Sequence, residues 1–124
     1  MKRFLQIILL VAPAFFVAAC GPRGPKATDP LPVEQMRLAF QKAFQSADAA
    51  TREMVDKFVD EAEKHQVADA YADVNDLMAM HNMTQEQVTT VVRAADTMGK
   101  LAADAAQNGD QQVADAIHSA LRRH

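Results

Sequence analysis

Between Val33 and Leu121, apolar side chains return every three or four residues, the spacing at which one face of an α-helix repeats. The first stripe reads Val33, Met36, Phe40, Ala43, Phe44 and Ala47, and continues through Met54, Val55, Phe58, Val59 and Ala62. No glycine or proline interrupts residues 33–98, and strand-like alternation is absent. The pattern admits one helix to about residue 64, or two helices broken near Asp48–Thr51. After a weakening at His65-Gln66, the positions Val67, Ala70, Tyr71, Val74, Leu77 and Met78 form a further stripe. On the polar face, Glu53–Lys57 and Asp60–Lys64 stand at i,i+4, where an ion pair adds a few tenths of a kcal/mol.

Helix boundaries can be read from capping chemistry. Thr28 or Asp29 is placed to cap the first helix, whose first turn tolerates Pro30 and Pro32 because its N–H groups lack intrahelical partners. Met83-Thr84-Gln85-Glu86-Gln87-Val88 marks the clearest start. Thr84 is the cap, Gln87 answers from the third helical position, and Met83 and Val88 occupy the two positions of a hydrophobic staple. The helix opened there has the stripe Val88, Val91, Val92, Ala95, Met98, Ala102 and Ala105, with Gly99 inside it at a cost of about 1 kcal/mol. Asn108-Gly109-Asp110 ends it and caps a last helix with Val113, Ala116, Ile117, Ala120 and Leu121 on one face. Arg122 and Arg123 suit the negative end of its dipole. The fold class expected is all-α: a small antiparallel bundle of four or five helices over residues 31–124.

The first 30 residues follow other rules. Lys2 and Arg3 precede an apolar run, Phe4 to Phe16, broken only by Gln6 and Pro13, and Val17-Ala18-Ala19 supplies small residues before Cys20. This has the three parts of an export signal. The run falls short of the roughly 20 residues a membrane-spanning helix needs, so residues 1–19 read as a removable signal peptide. Val17-Ala18-Ala19-Cys20 resembles the lipobox of bacterial lipoproteins, a resemblance that covers residues 1–20. It implies cleavage before Cys20, diacylation of its thiol and acylation of its new amino group, with palmitate among the acyl chains. Each buried CH₂ contributes about 0.8 kcal/mol, and two or more chains hold where one does not. Gly21 stands where an Asp would retain such a protein at the inner membrane. The resemblance therefore implies a lipid-anchored protein of the bacterial cell envelope, at the outer membrane and facing the periplasm. Residues 20–30, with two glycines and three prolines, read as a tether reaching roughly 30 Å at about 3.1 Å per residue.

Composition narrows the function. Removing Lys2 and Arg3 with the signal leaves 11 basic against 16 acidic side chains, a formal charge of −5. An acidic domain has no electrostatic basis for binding nucleic acid. With lipid on the only cysteine, no disulfide is possible, so stability must come from packing Ala, Val, Leu and Met around Phe40, Phe44, Phe58 and Tyr71.

No glycine-rich phosphate loop, H-E-x-x-H motif or cysteine pair is present, and Ser46 and Ser119 carry no accompanying motif. The chain reads as a non-catalytic binding or structural module, with no cofactor. Its expected partner is another envelope protein or a second copy, met through an Ala/Met-rich face to which Met36, Met54 and Met98 are candidate contributors. One stretch is chemically suggestive: Met78-Ala79-Met80-His81-Asn82-Met83. Thioether and imidazole donors suit soft cations, which makes Met80 and His81 candidate metal ligands. Met83-Thr84-Gln85-Glu86-Gln87 also resembles the motif of the periplasmic LTXXQ stress proteins, with Met in place of Leu, over five residues. That resemblance implies the alternative function, a metal-responsive or chaperone-like helical module. Asp69, Asp73 and Asp76 line one helix face at i, i+4 and i+7, with His65 spaced to pair with Asp69.

Overall fold

The computed structural model describes residues 29–123. Five helices follow one another: α1 (Val33–Ala43), α2 (Ala49–Glu63), α3 (Val67–Met78), α4 (Gln85–Gln107) and α5 (Gln111–Arg122). No strand occurs among the described residues. The all-α bundle expected from periodicity is the architecture observed, with two helices rather than one before residue 64.

Each break has a local cause. Asp48 adopts an extended backbone and its carboxylate accepts the Thr51 N–H at 2.7 Å, which starts α2 afresh. At the other end of α2, the His65 N–H donates to the Ala62 carbonyl at 3.1 Å and the Gln66 N–H to Glu61 at 2.9 Å. These two bonds form a Schellman motif, and His65 takes its left-handed position with φ 60°. The same motif closes α4 around Gly109 at φ 94°, through Gly109 to Ala106 and Asp110 to Ala105. The Asp110 carboxylate then caps α5 by accepting the Val113 N–H at 3.1 Å.

The first helix is the exception. Asp29 does not cap it, and Thr28 lies outside the described residues; α1 starts at Val33 behind Pro32, with no side-chain cap. Asp29 and Leu31 each precede a proline, and a residue before proline is driven out of the helical region. Tertiary bonds hold this segment instead. The Leu31 N–H donates to the Arg93 carbonyl at 3.2 Å. Arg93 Nε donates to the Asp29 carbonyl at 2.8 Å, and Thr97 Oγ1 donates to that of Leu31 at 2.8 Å. Leu31 itself is buried in the core, although it stands outside the helical stripes.

Helices α1 to α4 form a closed ring of neighbours, each packed against the next and α4 against α1. α1 runs antiparallel to α4, since its start lies beside Arg93 and Thr97 while its last carbonyl, Ala43, accepts from Gln87 at 3.1 Å. At 1.5 Å per residue the 23-residue α4 is about 34 Å long, nearly twice the 12-residue α3 beside it. α5 turns back along α4 and packs on both α3 and α4, covering length that the other helices do not reach.

The core centres on Phe40, fully buried, stacked on Phe44 at 5.8 Å and tilted against Phe58 of α2 at 5.4 Å between ring centroids. Met36, Leu77, Val91 and Met98 fill the space around them. One stripe is rotated in part from its expected position. On α4, Thr90 and Ala94 are buried while Val88 and Val92 face outward, the latter half exposed. α1 lies on the flank of α4 that carries Arg93 and Thr97, so the buried face turns toward it. Met54, Met78 and Leu121 are likewise exposed, so of the three methionines considered for an interface, only Met54 is on the surface.

The left-handed positions give a paired expectation. His65→Gly should stabilise the fold and Gly109→Ala should destabilise it, each by about 1 kcal/mol, since only the former exchange relieves a side chain held at positive φ. Thermal unfolding followed by circular dichroism reads both shifts, and shifts of the same sign would contradict the assignment.

Candidate functional site

Two clusters of polar and metal-ligating side chains stand out. The first lies in a cleft of about 410 Å³ between the α1–α2 and α3–α4 connections. Phe44, Ser46, Ala47, Asp48 and Thr51 form one wall, and Met80, His81, Asn82, Met83, Thr84 and Gln87 the other. The chain reaches this wall through the end of α3, where the Met80 N–H donates to the Leu77 carbonyl at 3.1 Å. It reverses at Asn82, held in the left-handed region at φ 62°, a conformation that asparagine tolerates better than most residues. Thr84 then opens α4 with the expected reciprocal cap. Its hydroxyl accepts the Gln87 N–H at 3.1 Å, and the Gln87 amide oxygen accepts the Thr84 N–H at 2.9 Å.

Both sequence candidates, Met80 and His81, are on this wall. His81 is exposed, while Met80 is half-buried and packs against the core. Met83 joins them. Its expected role is to pack against Val88 in a hydrophobic staple, yet Val88 faces outward and Met83 is half-buried against the core with one side on the cleft. Cys20, the lipidation candidate, lies outside the described residues.

Three side-chain oxygens of the cleft, one each from Asp48, Thr84 and Gln87, are committed to helix caps. The Asp48 carboxylate is held below the usual range, first by the Thr51 backbone N–H and then by the Thr51 side chain. Gln87 uses its oxygen on Thr84 and its amide nitrogen on the Ala43 carbonyl, so one side chain caps α4 and ties down the end of α1.

The second cluster joins α2 to α3. Lys57 Nζ donates to Asp73 at 2.7 Å and to Glu61 at 2.8 Å, rather than to the expected Glu53. Asp60 is taken by Arg37 of α1 rather than Lys64, and Arg37 also donates to Glu63 at 3.1 and 2.8 Å. These carboxylates hold the Arg37 guanidinium more firmly protonated, with Glu63 the stronger influence, and Arg37 in turn holds Glu63 below the usual range. Asp76 accepts from Arg123 at 2.8 Å. The acidic row Asp69, Asp73 and Asp76 is thus divided: Asp73 is paired with Lys57 of α2, Asp76 with Arg123 just after α5, and Asp69 is exposed. No ion pair links His65 to Asp69 among the described residues.

Glu61 is the unusual member. Its side chain is only 12% exposed, and its Oε2 is the one buried side-chain oxygen without a hydrogen-bond partner among the described residues. Burial, and then the neighbouring Asp73 carboxylate, push Glu61 above the usual range, and Lys57 opposes this without cancelling it. The Lys57–Glu61 spacing is visible in the sequence, but the burial and the approach of Asp73 depend on how α3 lies on α2.

Among the described residues, no three His, Cys, Asp or Glu side chains converge as a metal site, and no helix is long and apolar enough to cross a membrane. No family model, curated protein or solved structure matches this chain.

The raised Glu61 fixes the sign of a pH effect. A carboxyl whose affinity for protons is higher in the folded than in the unfolded state costs stability when ionised, and that cost disappears as pH falls through the folded value. Glu61→Gln keeps an acceptor for Lys57 and offers Asp73 a donor. It should therefore be more stable than the parent at pH 7, with the gap closing toward pH 4. Urea denaturation at both pH values measures this, and an equal gap at the two would contradict the assignment.

Proposed function

We propose that the chain is a small lipid-anchored envelope protein whose helical domain works by binding, without catalysis. In this reading residues 1–19 are removed, lipid on Cys20 holds the protein at the bacterial outer membrane, and the domain faces the periplasm. The observation that carries the proposal is the run Val17-Ala18-Ala19-Cys20 followed by the Pro/Gly-rich residues 21–30. Two or more acyl chains make a stable anchor at about 0.8 kcal/mol per buried CH₂.

The structured part supports the same reading from its side. Asp29 and Leu31 are fastened to the middle of α4 by Arg93 and Thr97, so a pull on the tether is resisted by the bundle and not by one fraying helix end. Polar side chains within the domain are used on the fold itself: Thr90 Oγ1 donates to the Glu86 carbonyl at 2.8 Å, and Gln87 spans two helices. Large apolar side chains remain outward at Leu38, Val92 and Leu121, the kind of residue a partner protein or a second copy covers.

A second reading, a metal-responsive or chaperone-like periplasmic module, is favoured by one observation, the wall shared by Met80, His81 and Met83.

The anchor is tested by metabolic labelling with palmitate and membrane fractionation of the full chain in a Gram-negative host. The parent should carry label and sediment with outer membranes, and Cys20→Ser should lose both. A soluble, unlabelled parent would overturn the anchor. Photocrosslinkers at Val92 and Leu121 should capture either a distinct envelope protein or a second copy. Adducts with neither would overturn a binding role for these positions.

A further inference from the structure

We propose that Met80, His81 and Met83 form a binding site for one soft monovalent cation of the Cu(I) or Ag(I) class. The three side chains fall within four consecutive residues and line one cleft wall. The left-handed turn at Asn82 reverses the chain between them. Both ends of the segment are fixed, one by the Met80 N–H on the Leu77 carbonyl and the other by the Thr84–Gln87 cap, so the donors sit on a held loop.

The chemistry of the donors sets the class of ion. Thioethers and imidazole are soft or borderline ligands and, when imidazole is neutral, bring no charge to a site. Two or three such donors satisfy a monovalent d¹⁰ ion. A hard divalent ion favours several carboxylate oxygens, and Asp48 is the one carboxylate lining the cleft, with one of its oxygens already accepting the Thr51 N–H. Met80 and Met83 are half-buried, which shields a bound ion, and exposed His81 provides access. The inference rests on the described cleft alone, so it stands or falls separately from the anchor at Cys20.

The test uses the full chain in detergent micelles on a Cys20→Ser background, because a free thiolate would outcompete thioethers for either ion. Cu(I) is titrated without oxygen against a chromophoric chelator, and Ag(I) is followed through the methionine methyl resonances. One equivalent should bind, with the methyl signals of Met80 and Met83 shifting and that of Met54 unmoved. Met80→Leu, His81→Ala and Met83→Leu should each weaken binding about tenfold or more, as loss of one ligand of a small site does, while Met54→Leu should not. Leu replaces Met at nearly constant volume, so helical content should be retained. If Met83→Leu unfolds, Met80→Leu and the methyl shifts decide the matter. Absence of a 1:1 complex, equal affinity in the variants, or an equal response at Met54 would overturn the site.

Discussion

Phe40 is the contact on which the other helices depend. It stacks on Phe44 one turn along α1 and meets Phe58 of α2, and this aromatic trio supplies the bulk that a domain of alanines, valines and methionines otherwise lacks. With no tryptophan and one cysteine outside the described residues, packing has to close the core unaided. Small residues make that possible: Ala43, Ala62, Ala70, Ala94 and Ala102 are all buried, so the helices that carry them can approach closely. The ring of α1 to α4 follows, because short connections between successive helices leave antiparallel neighbours as the simplest way to cover each stripe.

α4 sets the remaining geometry. Its start and middle carry three attachments: the cap that joins it to the 79–84 connection, the Gln87 clip to the end of α1, and the Arg93 and Thr97 grip on the segment before α1. The second half extends past those contacts and is covered by α5. In the proposed lipoprotein, the point where tether meets domain is therefore the best-supported part of the bundle.

Charge is distributed to join helices more than to line one of them. Arg37 bridges α1 to α2, Lys57 bridges α2 to α3, and Arg123, just after α5, reaches Asp76 of α3. Exposed pairs of this type contribute little individually, up to about 1 kcal/mol, and their value lies in fixing which helix faces which. Glu61 is where this arrangement carries a cost, since the oxygen turned away from Lys57 is buried without a partner. The cleft at Met80, His81 and Met83 has the opposite character. It holds a single carboxylate, which caps α2, beside two thioethers and an imidazole, which is why it carries the chemical proposal.

The sequence by itself determined the helices, most of their buried positions and several of their caps, because these depend on neighbours within four residues. The Thr84–Gln87 box, the Asp110 cap and the stripes through Phe40, Phe58 and Val74 were legible for that reason. Met80 and His81 were legible as donors by residue type alone. Tertiary structure decided what local spacing leaves open. Leu31 is buried and Val92 is not, because α1 and its leading segment settle on one flank of α4. Asp60 pairs with Arg37 of α1 in place of Lys64, and Lys57, besides Glu61 on its own helix, takes Asp73 of α3 in place of Glu53, because the neighbouring helices bring that guanidinium and carboxylate within reach. Met83 turns from a packing residue into a candidate ligand, because the left-handed backbone at Asn82 and the facing α1–α2 connection together make the cleft. In each case the deciding partner lies on another element, at a separation that periodicity and capping do not register.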